Sequence, residues 1–262
     1  MTAVAMSPSA GVAGPAGPVV HRPSFATLTR VELRKTVDTR AGRALLGLTL
    51  ALSSLVLGYL VARGEAEGLS YGGWVRDAIL PVVLLLPVLG VLSMASEWTQ
   101  RTVLTTFTAT PRRARVLAAK LVASVLLGMA AVVVVDVLAA VALVARAAIL
   151  GHAASWIGLG SVIGGSMVSA GLALLMGAAL GALLMQTALA IVAYFVAPSL
   201  VLLAVASLTG DKGEWVDVNL AFQRLSTFDL SAHVGPTLTP LLLWIGLPLV
   251  LGILRSLRRN VS

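Results

Sequence analysis

Apolar residues fall into six long blocks, and the polar residues lie almost entirely in the intervals between these blocks. A helix needs about 20 predominantly apolar residues to cross the hydrocarbon core of a bilayer. The pattern therefore predicts an all-α, polytopic membrane protein with a six-helix transmembrane domain over residues 44–254. The predicted spans are residues 44–62, 78–95, 121–145, 159–184, 188–208 and 236–254.

The fourth and fifth spans come from one uninterrupted interval, residues 147–210, which contains no Asp, Glu, Lys or Arg. As a single helix with a rise of 1.5 Å per residue it would be about 96 Å long, about three times the thickness of the hydrocarbon core. The chain must therefore turn back within this interval. Its most polar point, Met185-Gln186-Thr187, predicts where the turn lies.

The segments that flank the spans differ in character. Residues 1–23 are rich in Gly and Pro and predict a disordered cytoplasmic tail. Residues 24–43 interleave apolar and basic residues, which predicts an amphipathic helix that begins at Ser24 and lies on the membrane surface. The alternative is a solvated, charged approach to the first span. Residues 255–262 predict a short basic cytoplasmic tail.

The overall composition excludes a soluble globule. Hydrophobic residues make up 58% of the chain and charged residues 11%, and the mean hydropathy is +0.97. A soluble domain carries about a quarter charged residues. The chain has no Cys, which excludes disulfides, thiolate catalysis and Cys-ligated metal centres.

The charge distribution predicts the orientation. The chain has 19 Lys and Arg residues against 11 Asp and Glu. Most of the bases lie before span one, between spans two and three, and after span six, so the positive-inside rule places both termini in the cytoplasm. The excess of Arg and Ala is typical of a GC-rich bacterial coding sequence and predicts a bacterial plasma (inner) membrane. The bases follow the topology and form no soluble basic domain, which excludes a nucleic-acid partner.

The chain carries no recognisable enzymatic motif. Its lysines are Lys35, Lys120 and Lys212, and none follows a glycine-rich P-loop. Its three histidines lie far apart in sequence and do not have metal-ligand spacing. We therefore predict that the chain is not an enzyme and that it has no catalytic, cofactor-binding or metal-binding residues.

The largest cytoplasmic interval is residues 96–120, SEWTQRTVLTTFTATPRRARVLAAK. Glu97 and Arg101 are four residues apart and would share one face of a helix, while Pro111 suits the first position of a new helix. The interval predicts a docking surface for a cytoplasmic partner. An ordinary positive-inside loop, whose arginines only hold the topology, is an equal alternative.

The order of these parts resembles the six-span permease subunits of type 2 ATP-binding cassette exporters, especially short actinobacterial ones. The most specific part of the resemblance is the series Glu97, Arg101-Thr102, Pro111-Arg112 and Lys120. The other matching segments are TRVELRKTVDTR before span one, MQTALAIVAYFVAPSL entering span five and WIGLPLVLGILRSLRRN at the end of the chain.

The resemblance implies that the permease and the ATPase are separate subunits. Two permease copies, identical or related, would form a pathway through the lipid for an unidentified exported substrate. Separate ATPase subunits would hold ATP and Mg²⁺. A partly membrane-embedded helical segment is expected on the outer side, within residues 211–235. The loop after span two would be the coupling element that contacts the ATPase, with the residues Glu97, Arg101, Thr102, Pro111, Arg112 and Arg113.

Asp136 is the one acidic residue inside a predicted span. An ionisable residue at this depth costs about 2.5 to 3.5 kcal/mol on insertion scales, so Asp136 is expected to face protein or water. It would either make a structural hydrogen bond or contact a cationic substrate or a proton. The second interpretation leads to an alternative function, an ion-coupled secondary transporter or channel that uses Asp136.

Span four contains two pairs of glycines at four-residue spacing, Gly160 with Gly164 and Gly177 with Gly181. Small residues at this spacing let two transmembrane helices approach closely. We predict that these glycines pack against a neighbouring helix.

Overall fold

The computed structural model describes residues 24–63, 68–99, 113–228 and 233–258. Within these ranges the chain is helical, and the only strand-like feature is an isolated bridge between Ser70 and Ser155. The predicted tail 1–23 and most of the predicted coupling loop lie outside the described residues.

The helices follow one another with short connections. Ser24, Ser70 and Asp217 each cap a helix N-terminus by accepting a hydrogen bond from a backbone N–H group of the first turn. The helices are α1 (Phe25–Asp38), α2 (Arg40–Arg63), α3 (Tyr71–Ala78), α4 (Leu80–Thr99), α5 (Arg113–Leu150), α6 (Leu159–Leu184), α7 (Thr187–Thr209), a 3₁₀ segment (Gly210–Trp215), α8 (Val218–Ser226), α9 (Val234–Leu241), a π-helical turn (Leu242–Gly246) and α10 (Leu247–Arg258).

Among the described residues, five continuous helical segments are long and apolar enough to cross a membrane. A sixth candidate span is the pair α3 and α4, which meet at a bend of 43°. The predicted second span began at residue 78, but the helical path begins earlier, at Tyr71, and bends at Ile79. Pro81 follows closely, and a proline restricts the residue before it and removes a backbone donor, which favours a bend here.

Helix α5 is longer than the sequence predicted. The third span was expected to end at residue 145 and to be followed by a link, but α5 continues to Leu150. The extra residues include Ala147 and Ala148, alanine being the best helix former, and they contain no Gly or Pro. The helix ends where Gly151 adopts a left-handed conformation, with φ of 67°. Its 38 residues correspond to a length of about 57 Å.

Helix α6 is the centre of the bundle and packs against α4, α5, α7, α8 and α10. Of its most apolar window, 61% is buried inside the molecule, against 11% for α7. The closest contact is with α4. A Cβ atom on Gly177 would collide with the backbone oxygen of Pro87, and one on Gly90 would collide with the backbone oxygen of Leu174. Glycine at these positions therefore sets the distance between the two backbones.

The four predicted glycines have different surroundings. A Cβ on Gly181 would lie 2.8 Å from the Val91 carbonyl oxygen of α4, whereas one on Gly164 would lie 3.0 Å from the Phe228 ring. A Cβ on Gly160 would meet nothing within 4 Å in the described part of the chain. Of these four glycines, Gly177 and Gly181 thus make the close approach to α4.

The ends of the helices form two groups. Thr99 at the end of α4 contacts Thr187 at the start of α7, with 3.1 Å between their hydroxyl oxygens. Arg255 near the end of α10 donates to the Leu183 carbonyl of α6 at 2.9 Å. We call this the base-rich end, since it also carries the bases of α1 and of the first turns of α2 and α5. At the opposite end, the Ser155 N–H donates to the Leu69 carbonyl at 2.8 Å.

The close approach of α4 and α6 predicts that the same change, Gly to Ala, affects stability differently at Gly177 and at Gly160. Gly177→Ala forces the two helices apart and should lower the free energy of unfolding by about 1 to 3 kcal/mol. A Cβ atom at position 160 has no neighbour within 4 Å among the described residues. Gly160→Ala should therefore leave the free energy of unfolding unchanged or raise it by up to about 1 kcal/mol, since Ala favours the helix. Thermal unfolding of the two purified variants in detergent measures the difference. Equal effects would contradict the packing described here.

Candidate functional site

The predicted ATPase-coupling residues flank and fill the interval between α4 and α5. Glu97 belongs to the last turn of α4 and Arg113 is the first residue of α5. Arg101, Thr102, Pro111 and Arg112 lie outside the described residues.

A buried ion pair lies one to two turns into α5, just after this interval. The Lys120 ammonium is 2.9 Å from a carboxylate oxygen of Glu32 on α1, and only 4% and 13% of the two side chains are exposed. A pair this well shielded is screened little by salt, and removing one partner leaves the other charge buried. The pair therefore fixes α1 to the base-rich end of α5.

Sequence reasoning missed this pair. Lys120 was considered only as part of the loop and Glu32 only as part of an amphipathic helix, and they are 88 residues apart in the chain. The available signal was that Lys120 directly precedes the third predicted span and that Glu32 is an acid within an otherwise mainly basic segment. A small cavity of about 140 Å³ adjoins the pair and is bounded by residues of α1, α2, α4 and α5. Helices α1, α2, α4 and α5 thus meet at one place.

Asp136 lies in the middle part of α5 and is 3% exposed. The Ser166 hydroxyl of α6 is 2.8 Å from its Oδ2 atom, and the Tyr71 hydroxyl of α3 donates to the Asp136 backbone oxygen at 3.3 Å. Tyr71 also stacks on Trp156, with 5.4 Å between ring centroids. Asp136 therefore makes the structural hydrogen bond that one of the two sequence interpretations required, and it links three helices.

The bonding around Asp136 is incomplete. Its Oδ1 atom is buried and has no hydrogen-bond partner in the described part of the protein. The Ser166 hydroxyl has a single hydrogen but lies within bonding distance of two oxygens, Asp136 Oδ2 at 2.8 Å and the Ile163 carbonyl at 2.9 Å. No group of three or more His, Asp or Glu side chains that could hold a metal ion occurs among the described residues.

The segment after α7 folds back into the bundle. Phe222 of α8 belongs to a buried cluster with Ala173 and Met176 of α6, and Trp244 donates to the Val216 carbonyl at 3.1 Å. The Ser226 carbonyl lies against Gly165. The helical segment expected within residues 211–235 thus packs along the side of α6.

Comparison with known proteins gives no assignment. No protein-family model matches the chain. No curated protein matches it either.

The Lys120–Glu32 pair predicts an asymmetry between single and double variants. Lys120→Met leaves the Glu32 carboxylate buried without this partner and should cost about 3 kcal/mol of unfolding free energy. Adding Glu32→Leu should recover most of that loss, because an apolar pair of similar volume replaces the ion pair. Thermal unfolding in detergent is the measurement. A double variant less stable than Lys120→Met would contradict the pairing.

The contact between Asp136 and Ser166 predicts non-additive effects. Ser166→Ala leaves a buried carboxyl group without its partner and should cost about 1 to 3 kcal/mol. The double variant Ser166→Ala with Asp136→Leu removes both polar groups and should be more stable than Ser166→Ala alone. A double-mutant cycle on unfolding free energies tests this. Strictly additive effects would show that the two side chains do not interact.

Proposed function

We propose that this chain is the membrane-spanning permease subunit of an ATP-driven exporter. In this proposal it forms the translocation pathway in a bacterial plasma membrane, with both termini in the cytoplasm. ATP and Mg²⁺ bind to separate ATPase subunits, which dock on the loop between α4 and α5. The substrate is exported, and its class is left open by the residues of the chain.

The observation that carries the proposal is the buried Lys120–Glu32 pair. An ATPase can do mechanical work on a membrane protein only through elements that transmit displacement without bending locally. Lys120 lies shortly after the proposed docking loop, so a displacement of that loop moves α1 and α5 together. Helix α5 then carries the displacement across the bundle, because it is continuous over 38 residues, contains no Pro and remains helical through its single glycine, Gly128.

The exposed helix faces fit a proposal with two permease copies. Only 17% of the apolar window of α2 and 11% of that of α7 is buried inside the chain. Their outward residues are large and apolar, and they include Leu55, Tyr59, Leu200 and Leu203. Lipid covers such faces in part, and in this proposal a second copy, identical or related, covers the remainder.

A second candidate function is an ion-coupled secondary transporter or channel. It is favoured by the unpartnered Oδ1 atom of Asp136, since a buried carboxyl oxygen can bind a cation or exchange a proton. It is a weaker candidate because Asp136 is the one acid inside a span and Ser166 already binds its other oxygen.

The exporter proposal predicts a stable complex with an ATPase. The tagged chain is co-expressed with candidate ATPase subunits from the same genome, extracted in mild detergent, and assayed for ATP hydrolysis. Glu97→Ala or Arg112→Ala should weaken assembly or turnover about tenfold, as for an interface residue worth more than 1 kcal/mol. Arg63→Ala, at the far end of α2, is the matched control and should behave as the wild type.

Two results would count against the exporter proposal. One is that no ATPase associates with the chain in any detergent that preserves its fold. The other is that Glu97→Ala and Arg112→Ala variants form a complex with unchanged turnover, which would remove the loop from the coupling path.

A further inference from the structure

A cleft of about 700 Å³ opens between α3, α6 and α8. It exists because α8 packs back along α6, so that the Ser226 carbonyl lies against Gly165 while α3 flanks the other side of α6 near Gly72. The cleft is nearer the end of the bundle opposite to the base-rich end. It is thus separate from the proposed ATPase-docking loop.

Polar side chains line this cleft. Ser169 of α6 and Asn219 and Gln223 of α8 lie in its wall, with Ser169 half-buried and the two amides exposed. A hydroxyl and two amides in one wall can donate hydrogen bonds to, and accept them from, a ligand that carries hydrogen-bonding groups.

Arg76 of α3 lines the cleft, and no Asp or Glu is among the lining residues that the structure describes. The Arg76 Nε atom lies 4.0 Å from a carboxylate oxygen of Asp77, and both side chains are more than half exposed. Such an exposed pair contributes little, so the guanidinium remains available to an anion. Arginine binds phosphate oxygens through two parallel N–H groups.

A second, mainly apolar cavity of about 120 Å³ adjoins the cleft. Val83, Asn219 and Phe222 line both spaces. The remaining wall of this second cavity comes largely from Met176 of α6 and from residues of α7 around Pro198. A ligand that occupied both spaces would have an anionic, hydrogen-bonding head at Arg76 and an apolar tail beyond Phe222.

We propose that this cleft is a binding site for a lipid with an anionic phosphate headgroup. The headgroup contacts Arg76, Ser169 and the amides of Asn219 and Gln223, and an acyl chain enters the apolar space behind Phe222. The proposal goes beyond the exporter function and does not depend on it, because no ATPase and no second permease copy contributes to the cleft.

Lipid retention by the purified full-length chain tests the site. Native mass spectrometry compares short-chain phosphatidylglycerol with phosphatidylcholine of the same chain length. We expect phosphatidylglycerol to be retained about tenfold more strongly, as for one charge-assisted contact. Arg76→Gln should abolish this preference, and Arg63→Gln, which removes a charge at the same end of the bundle, should preserve it.

A second pair of variants tests the position of the lipid. Ser169→Phe places a ring in the cleft and should reduce phosphatidylglycerol retention, whereas Ser207→Phe on the exposed face of α7 should not. Inorganic phosphate is expected not to displace the lipid, because it lacks the acyl chain.

Three results would overturn the proposal. The first is equal retention of the two lipids by the wild type, and the second is equal behaviour of Arg76→Gln and Arg63→Gln. The third is displacement of the lipid by inorganic phosphate. Each is distinct from failure of the exporter proposal, since the lipid assay contains no ATPase.

Discussion

The backbone contact between α4 and α6 is the constraint on which the rest of the structure depends. Lipid tails are as apolar as the side chains of these helices, so burying Leu and Val against each other gains little in a membrane. Close packing must supply the association, and Gly90 and Gly177 permit it by removing the Cβ atoms that would collide with the opposite backbone. With α6 fixed in this way, its other faces can receive α5, α8 and α10.

The two ends of the bundle are stabilised by different interactions. At the base-rich end the Lys120–Glu32 pair joins α1 to α5, and Arg255 bonds to the end of α6. At the opposite end, aromatic stacking of Tyr71 on Trp156 and backbone bonds near Ser155 join α3 to the α5–α6 connection. The proposed ATPase contact belongs to the first end and the lipid-binding cleft lies towards the second, so the two proposals use separate surfaces.

The sequence predicted the helical class and the approximate position of each candidate span, because block length and charge placement are local properties. The turn at Met185-Gln186 was predictable since no single helix of 64 residues fits a bilayer. Helix α5 extends to Leu150, beyond the predicted end of the span at residue 145, because a helix can continue outside the membrane where no Gly or Pro stops it. The partners of Gly177, Lys120 and Asp136 were not predictable, because each is brought close by tertiary packing between distant segments.

The proposed function depends most directly on the base-rich end of the bundle lying in the cytoplasm and the opposite end lying outside the cell. The chain has no native Cys, so single cysteines can be introduced without removing others. Gln186→Cys marks the base-rich end and His152→Cys marks the opposite end, and both positions are exposed. Labelling intact cells with a membrane-impermeant maleimide should modify His152→Cys and leave Gln186→Cys unmodified until the cells are opened. The reverse pattern, or labelling of both positions in intact cells, would contradict the account.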